Sequence, residues 1–263
     1  MNIVVITKEV PDTEARLSLK DGQVDFTSIT YVLNPFDEYA LEEALRIKDK
    51  HPDTKVTVVM VGQDSAKKNL LNCLALGADE VILVTDSALE GSDPTSLSKV
   101  LAQVIRPLSP MIIFAGKQGV DYDWGLTPIA LATELNLPHV GVVKSFEPDF
   151  ASGTFRATSE ADEGDLVYEG KLPAVITAEK GLNEPRYASL KGIMGAKKKP
   201  LNQLALKDLS ISEEVVGVGA QKVKLVRAEL PPEKKPGVII EGESTAEKVA
   251  RLVQALHQEA KVI

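Results

Sequence analysis

Four short runs in the first half of the chain are apolar at odd and even positions alike: Asn2–Ile6, Val56–Val61, Val81–Val84 and Met111–Ala115. A strand with one wet face alternates apolar and polar residues. Runs rich in β-branched residues that do not alternate predict parallel strands covered on both faces. The intervening segments have a helical period. Asn34-Pro35 reads as an N-cap followed by proline at the first helical position, with Asp37 and Glu38 near the positive helix end. Ala40, Leu41, Ala44, Leu45 and Ile47 then share one helical face. Ser65 to Leu76 repeats the pattern and stops at Gly77, Asp93-Pro94 opens a third helix, and Gly125 to Leu135 forms a fourth. This alternation predicts an α/β fold with a doubly wound, mostly parallel sheet and right-handed crossovers.

The pattern changes after residue 145. Gly153, Gly164 and Gly170 separate short polar strand-like pieces such as Thr154–Thr158, which predicts a β-hairpin excursion before Lys171–Thr177 returns to a buried strand. Leu182-Asn183-Glu184-Pro185-Arg186-Tyr187 and Ala196-Lys197-Lys198-Lys199-Pro200 follow neither a 2- nor a 3.6-residue period, so this stretch belongs on the surface. Leu190, Ile193 and Met194 lie between them, apolar groups on an element edged with lysines. That combination suits docking of a partner protein; an irregular connection whose apolar residues fold back onto the body accounts for it equally. Further on, Val223–Arg227 reads as an extended piece and Pro231-Pro232 as a stiff break. Ser244-Thr245-Ala246-Glu247 is a capping box opening a final helix with Val249, Leu252, Val253 and Leu256 on one face. One amphipathic helix cannot make its own core. Residues 201–263 are therefore expected to form an extended C-terminal arm that packs on residues 1–200 or on another chain.

A chain of 263 residues can bury one large core with an appendage. Its net charge of -8 argues against a nucleic-acid surface, and the lysine cluster is a local exception suited to an acidic patch on a partner. Cys73 is the single cysteine, which excludes an intrachain disulfide; His51, His139 and His257 show no metal-ligand spacing. Leu70, Leu71, Leu74 and Leu76 around Cys73 place that thiol in the core. The start of the chain lacks the features of a signal peptide and no 18-residue apolar run occurs, so the expected location is cytoplasmic. No serine or histidine falls in a nucleophile–base context, and no catalytic residue is assigned.

In a doubly wound sheet, ligands bind beyond the carboxyl ends of the strands at a topological switch point. Ile6-Thr7-Lys8, Val61-Gly62 and the segment Gly116–Thr127 occupy those ends. The last combines glycines that let backbone approach a ligand, carboxylates suited to ribose hydroxyls, and a helix start whose N–H groups suit a phosphate. It is neither a Walker loop nor GxGxxG. A glycine-rich turn with capping aspartates and a packing Trp124 fits the same residues.

The run from Leu172-Pro173-Ala174-Val175-Ile176-Thr177-Ala178 through Leu182–Leu190 to Ile193-Met194 and Ala196–Pro200 closely resembles the signature region of the electron transfer flavoprotein beta subunit family. Further matches are Asn34–Glu38 with Ala40 and Glu42–Ala44, Gly77-Ala78-Asp79, and Gly116-Lys117-Gln118 with Asp121 and Asp123, in family order over nearly the whole chain. The resemblance implies a Rossmann-like domain of the adenine-nucleotide-binding type over residues 1–200. It also implies a recognition loop over about 179–200 and an arm that embraces an alpha subunit. FAD would be held mainly by that subunit, with electrons passing from dehydrogenases to a membrane quinone oxidoreductase. An AMP site would be formed by Ile6, Asn34, Pro35, Phe36, Asp37, Val61, Gly116, Lys117, Gln118, Gly119, Val120, Asp121, Tyr122, Asp123, Trp124, Gly125, Leu126 and Thr127.

For partners, the resemblance makes Leu190 the anchor of the recognition loop, with Ile193 and Met194 beside it and Lys197, Lys198 and Lys199 supplying charge. Glu160 aligns with a glutamate that pairs with an alpha-subunit arginine. Two departures bear on the ligand. Gly125-Leu126 and Thr127-Pro128 stand where familiar members have a polar pair and then Thr-Gly, so two side-chain donors are missing and backbone N–H groups with the Thr127 hydroxyl take their place. Val10-Pro11-Asp12-Thr13 looks like the electron-bifurcating branch, which uses NADH and binds a second FAD in place of AMP, whereas Leu182–Lys199 looks like the AMP type. A nucleotide-binding α/β domain without a redox role is the third reading.

Overall fold

The computed structural model describes residues 1–20, 22–27, 29–232 and 236–263. Among them, nine strands share one sheet: β1 (Asn2–Thr7), β2 (Lys55–Val61), β3 (Glu80–Val84), β4 (Ile112–Gly116), β5 (His139–Asp149), β6 (Thr154–Ala161), β7 (Gly164–Lys171), β8 (Ala174–Ala178) and β9 (Leu201–Leu204). Their spatial order is β7-β6-β5-β8-β4-β1-β2-β3-β9. From β5 to β9 every pairing is parallel, and only the β5-β6-β7 meander is antiparallel. The first strand explains the missing alternation. Ile3 and Val5 join one buried cluster while Val4 and Ile6 join the other, so both sides of the strand are dry.

Helices α1 (Pro35–Lys50) and α2 (Lys67–Leu76) cover one face, and α3 (Pro94–Ile105) and α4 (Thr127–Leu135) the other. Cys73, on the inner face of α2, is fully buried, and burial pushes its thiol up to about 12, so it packs as a small apolar group. Asp93 caps α3 by accepting from the Thr95 and Ser96 N–H groups, each at 3.0 Å. Phe114 of β4 meets Phe146 edge-on at 5.5 Å, and Phe146 meets Phe155 at 5.6 Å, which ties the meander into the core.

Three local expectations are corrected. Asn34 stands at the N-cap position of α1 but makes no side-chain cap; its amide reaches across to the Gly116–Thr127 segment instead. The second helix is preceded by a separate 3-10 turn, Asp64–Ala66, and the fourth starts at Thr127 because Gly125, at φ 58°, is left-handed and cannot continue a right-handed helix. The sheet also continues past the boundary expected at residue 200. β9 pairs with β3, and Leu206, Leu209 and Val216 are buried in the cluster beneath α3 and α4. Beyond α5 (Leu190–Ala196) and α6 (Gly217–Ala220), Val223–Arg227 pairs with no strand. The last helix, α7 (Thr245–Ala255), has no buried residue, and its stripe Val249, Leu252 and Val253 is exposed.

Candidate functional site

After β1 the chain adds β2 and β3 on one side and then crosses back to lay β4 on the other. The carboxyl ends of β1 and β4 therefore diverge into a crevice. A cleft of about 650 Å³ opens there, lined by Ile6, Thr7 and Lys8 after β1, Val61 and Gly62 after β2, and much of the segment following β4.

Asp37 holds the two strand ends together. Its carboxylate is buried and accepts from the Lys8 N–H at 2.8 Å and the Gly116 N–H at 2.9 Å. Burial pushes this carboxyl up to about 7, with the hydrogen bonds from Lys8, Asn34 and Gly116 opposing the rise. Asn34 makes the second brace, donating to the Gln118 carbonyl at 2.9 Å and accepting from the Val120 N–H at 3.2 Å. Gly116 is required by this packing, since a Cβ there would collide with Asp37 and Phe36. Lys8 and Asp121 form an ion pair at 2.6 Å beside the cleft.

Of the residues expected at the ligand, Ile6, Asn34, Asp37, Val61, Gly116, Gln118, Gly119, Asp121, Tyr122, Trp124, Gly125, Leu126 and Thr127 line the cleft. Pro35, Phe36, Lys117, Val120 and Asp123 do not. Pro35 opens α1, Lys117 lies 4.8 Å over the Phe36 ring and pairs with Glu179, and Asp123 accepts from the Gln118 amide at 2.6 Å. These five shape the wall from behind. Sequence reasoning missed the wall from α3 and the loop before it, with Ser92, Pro94, Leu97 and Leu101, and the tail residues Gln221 and Val223–Val226. The Asp93-Pro94 helix start, opening the helix that follows β3, was the available signal for the first. The tail carried none; it is pinned by the Lys222 N–H donating to Asp93 at 2.6 Å and Gln221 donating to the Gly91 carbonyl. Burial opposes the ionised form of Asp93, but hydrogen bonds from Thr95, Lys222 and Ser96 outweigh it and bring the carboxyl to about 2.

The arrangement suits an anionic ligand. α4 begins at the cleft without a side-chain cap; Pro128 carries no N–H, which leaves the Thr127 and Ile129 N–H groups of the first turn for a phosphate-like group. Thr7 Oγ1 is buried in the cleft lining with no hydrogen-bond partner among the described residues. Such an orphan is costly unless a ligand satisfies it. Among the described residues, no group of three or more His, Cys, Asp and Glu is placed to hold a metal ion.

A second feature lies on the face of α2. Asn183 donates to the Tyr39 carbonyl and to Glu43, each at 3.0 Å, and Arg186 grips Glu42 through two nitrogens at 2.7 and 3.0 Å and Asp49 at 2.8 Å. These bonds fix the lead into α5. The helix then lies on α2 through its small residues: Ala196 is buried, and a Cβ on Gly192 would collide with the Ala75 carbonyl. The opposite face carries Leu190, Ile193 and Met194, which are 82%, 52% and 78% exposed. The apolar residues do not fold back. The lysine cluster divides, however. Lys197 and Lys198 are exposed, whereas Lys199 turns inward and donates to the Leu74 and Ala78 carbonyls at 3.0 and 2.6 Å. Lys199 satisfies the end of α2 and leaves the outer surface. Glu160, on β6 opposite Asp165, is exposed and in no ion pair among the described residues.

A doubly wound sheet with a cleft at its switch point and a separate exposed apolar helix defines a class: an α/β domain of the doubly wound type, whose cleft is shaped for a small ligand and whose exposed apolar helix is suited to protein contact. The electron transfer flavoprotein domain model matches residues 22–209. The chain is 38% identical to the electron transfer flavoprotein subunit beta of Bacillus subtilis over 100% of both chains, and 37% identical to that of Methylophilus methylotrophus over 98% of both. It is 35% identical, over 98% of both chains, to the caffeyl-CoA reductase-Etf complex subunit CarD of Acetobacterium woodii. The chain belongs to the electron transfer flavoprotein beta subunit family. No helix among the described residues is long and apolar enough to cross a membrane.

Proposed function

We propose that this chain is the beta subunit of a heterodimeric electron carrier, in which an alpha subunit holds most of an FAD and the cleft between β1 and β4 holds AMP. The observation that carries the carrier role is the exposed triad Leu190, Ile193 and Met194 on a helix whose other face is anchored. A leucine entering a partner pocket contributes about 1.5–3 kcal/mol of burial, enough to localise a docking event and weak enough to let the partner leave. Dehydrogenases would dock on this face and a membrane quinone oxidoreductase would receive the electrons. Lys197 and Lys198 supply salt-sensitive steering toward acidic surfaces. Glu160, exposed and in no ion pair among the described residues, is available to an arginine of the alpha subunit, and the α7 stripe offers the apolar contact for the arm.

The cleft fits a nucleotide on three counts: the uncapped start of α4, the orphaned Thr7 hydroxyl, and the close backbone approach at Gly116. FAD supplies the redox chemistry when bound. The residues of this chain do the rest: Asp37 and Asn34 tie the strand ends and the Gly116–Thr127 segment together at a set spacing, and the Thr127 and Ile129 N–H groups with the Thr127 hydroxyl take the phosphate.

One observation favours a second reading, the bifurcating type with a second FAD: the Val10-Pro11-Asp12-Thr13 segment, which looks like that branch, ends on a small, exposed Thr13. Purifying the alpha–beta pair and counting bound flavin and AMP tests both. One FAD and one AMP per pair is the expected result; two FADs with reduction by NADH would replace the carrier with the bifurcating enzyme. Failure to associate with any flavin-holding subunit would remove the redox reading and leave a nucleotide-binding domain.

A further inference from the structure

Tyr122 and Trp124 are stacked on each other, with ring centroids 5.0 Å apart and an interplanar angle of 29°, and both line the cleft. They are 55% and 47% exposed, and neither belongs to a buried cluster. An aromatic stack left half in water forgoes much of the burial that large rings usually gain. Its backbone is nevertheless fixed. Asp123, between the two, is left-handed at φ 53°, its N–H donates to the Gly119 carbonyl at 2.9 Å, and its side chain accepts from Gln118. Lys8, ion-paired with Asp121, lies 5.9 Å from the Tyr122 ring centroid and gives the stack a polar rim.

We infer that Tyr122 and Trp124 form a stacking subsite for the planar ring of the nucleotide in the cleft, which makes them specificity-determining residues. This rests on the reading that the cleft holds a nucleotide. The stack is presented before any ligand arrives, so little ordering entropy is lost on binding. It lies three residues before the uncapped start of α4, so one ligand can place its phosphate on the helix and a ring on the aromatic face. A planar heteroaromatic ring is the chemistry recognised, and it has two sources: the adenine of AMP or the isoalloxazine of FAD.

Trp124 is the only tryptophan of the chain, so indole emission of the full-length chain reports this ring alone. The test is to measure AMP and FAD affinities by equilibrium dialysis for the wild type, Trp124→Ala, Trp124→Leu and Trp124→Phe, and to follow indole emission during AMP titration. Trp124→Ala and Trp124→Leu are expected to weaken the stacked nucleotide at least about fivefold, with Trp124→Phe restoring most of the affinity. If adenine is the ring, AMP quenches the indole and its affinity falls in the variants; if isoalloxazine is the ring, only FAD affinity falls and AMP leaves the emission unchanged. Equal AMP and FAD affinities in wild type and Trp124→Ala would overturn the subsite while the cleft reading stands. Absence of binding of either nucleotide to the wild type would overturn the cleft reading and the subsite with it.

Discussion

Asp37 has two backbone N–H groups to satisfy, from Lys8 and Gly116, and two oxygens to do it with. Asparagine keeps the shape but offers one acceptor, so Asp37→Asn is expected to cost about 1–3 kcal/mol through the N–H left facing an amide. The cost depends on pH in a definite direction. The folded chain keeps the Asp37 proton up to about 7, while the unfolded chain releases it near the ordinary carboxylate value of 3.8. Wild-type stability from this group is therefore fully present below about 4 and is lost as pH rises through about 7. Urea unfolding of the variant should show its deficit larger at pH 5 than at pH 8; a deficit independent of pH would mean that this carboxyl titrates normally. Thr7 acts in the opposite sense. Thr7→Val removes an unpaired buried hydroxyl, so it is expected to raise the stability of the ligand-free chain by about 1 kcal/mol and to weaken nucleotide binding severalfold. Unchanged affinity in dialysis would show that the hydroxyl does not reach the ligand.

At the scale of elements, α5 is a short helix whose two faces have different tasks. Its small face, Gly192 and Ala196, sets how closely it lies on α2, and its apolar face is left in water. Leu190→Ala should slow reduction by partner dehydrogenases by roughly tenfold or more with flavin content unchanged, following the burial lost at the partner. Stopped-flow rates equal to wild type would remove the anchor role. The lysines separate by the same logic. Lys199→Met should lower thermal stability, because the Leu74 and Ala78 carbonyls lose their donor, and should leave the salt dependence of partner association unaltered. Replacing Lys197 and Lys198 with glutamine should do the reverse, flattening the salt dependence with little effect on stability.

For the whole molecule, strand order decides where ligand chemistry can occur. The crevice exists because β2 and β4 flank β1, and the cleft residues at the ends of those three strands follow from that reversal. The tail has two parts. Up to Lys222 it belongs to the body, through β9, the buried Leu206, Leu209 and Val216, and the bond to Asp93. α7 buries nothing within the chain. Deleting residues 237–263 is accordingly expected to leave the melting temperature of the isolated chain within about 2 °C of wild type, by calorimetry, while weakening association with the alpha subunit. A large loss of stability in the isolated chain would show that the arm folds back on its own body.

The strands and helices of the first half were legible because each is set by a local period: β-branched runs for covered strands, Asn34-Pro35 and Asp93-Pro94 for helix starts. The cleft was partly legible, since a strand end followed by a glycine-rich segment has local marks. Distant contacts decided the rest. Asn34 could have capped its own helix, and its bonds to Gln118 and Val120, more than 80 residues away, exist only once β1 and β4 lie side by side. Lys199 reads as one of three equivalent lysines until two carbonyls at the end of α2 come within its reach. By itself the sequence determined the alternation of elements and the family, and left open whether Leu190 and its neighbours face outward or fold back on the body. Only the tertiary structure decided that the apolar face of α5 points outward, which polar side chains spend their hydrogen bonds on the protein, and which, like Thr7, have no partner among the described residues. A period along the chain encodes burial, but a partner 80 residues away is supplied by topology.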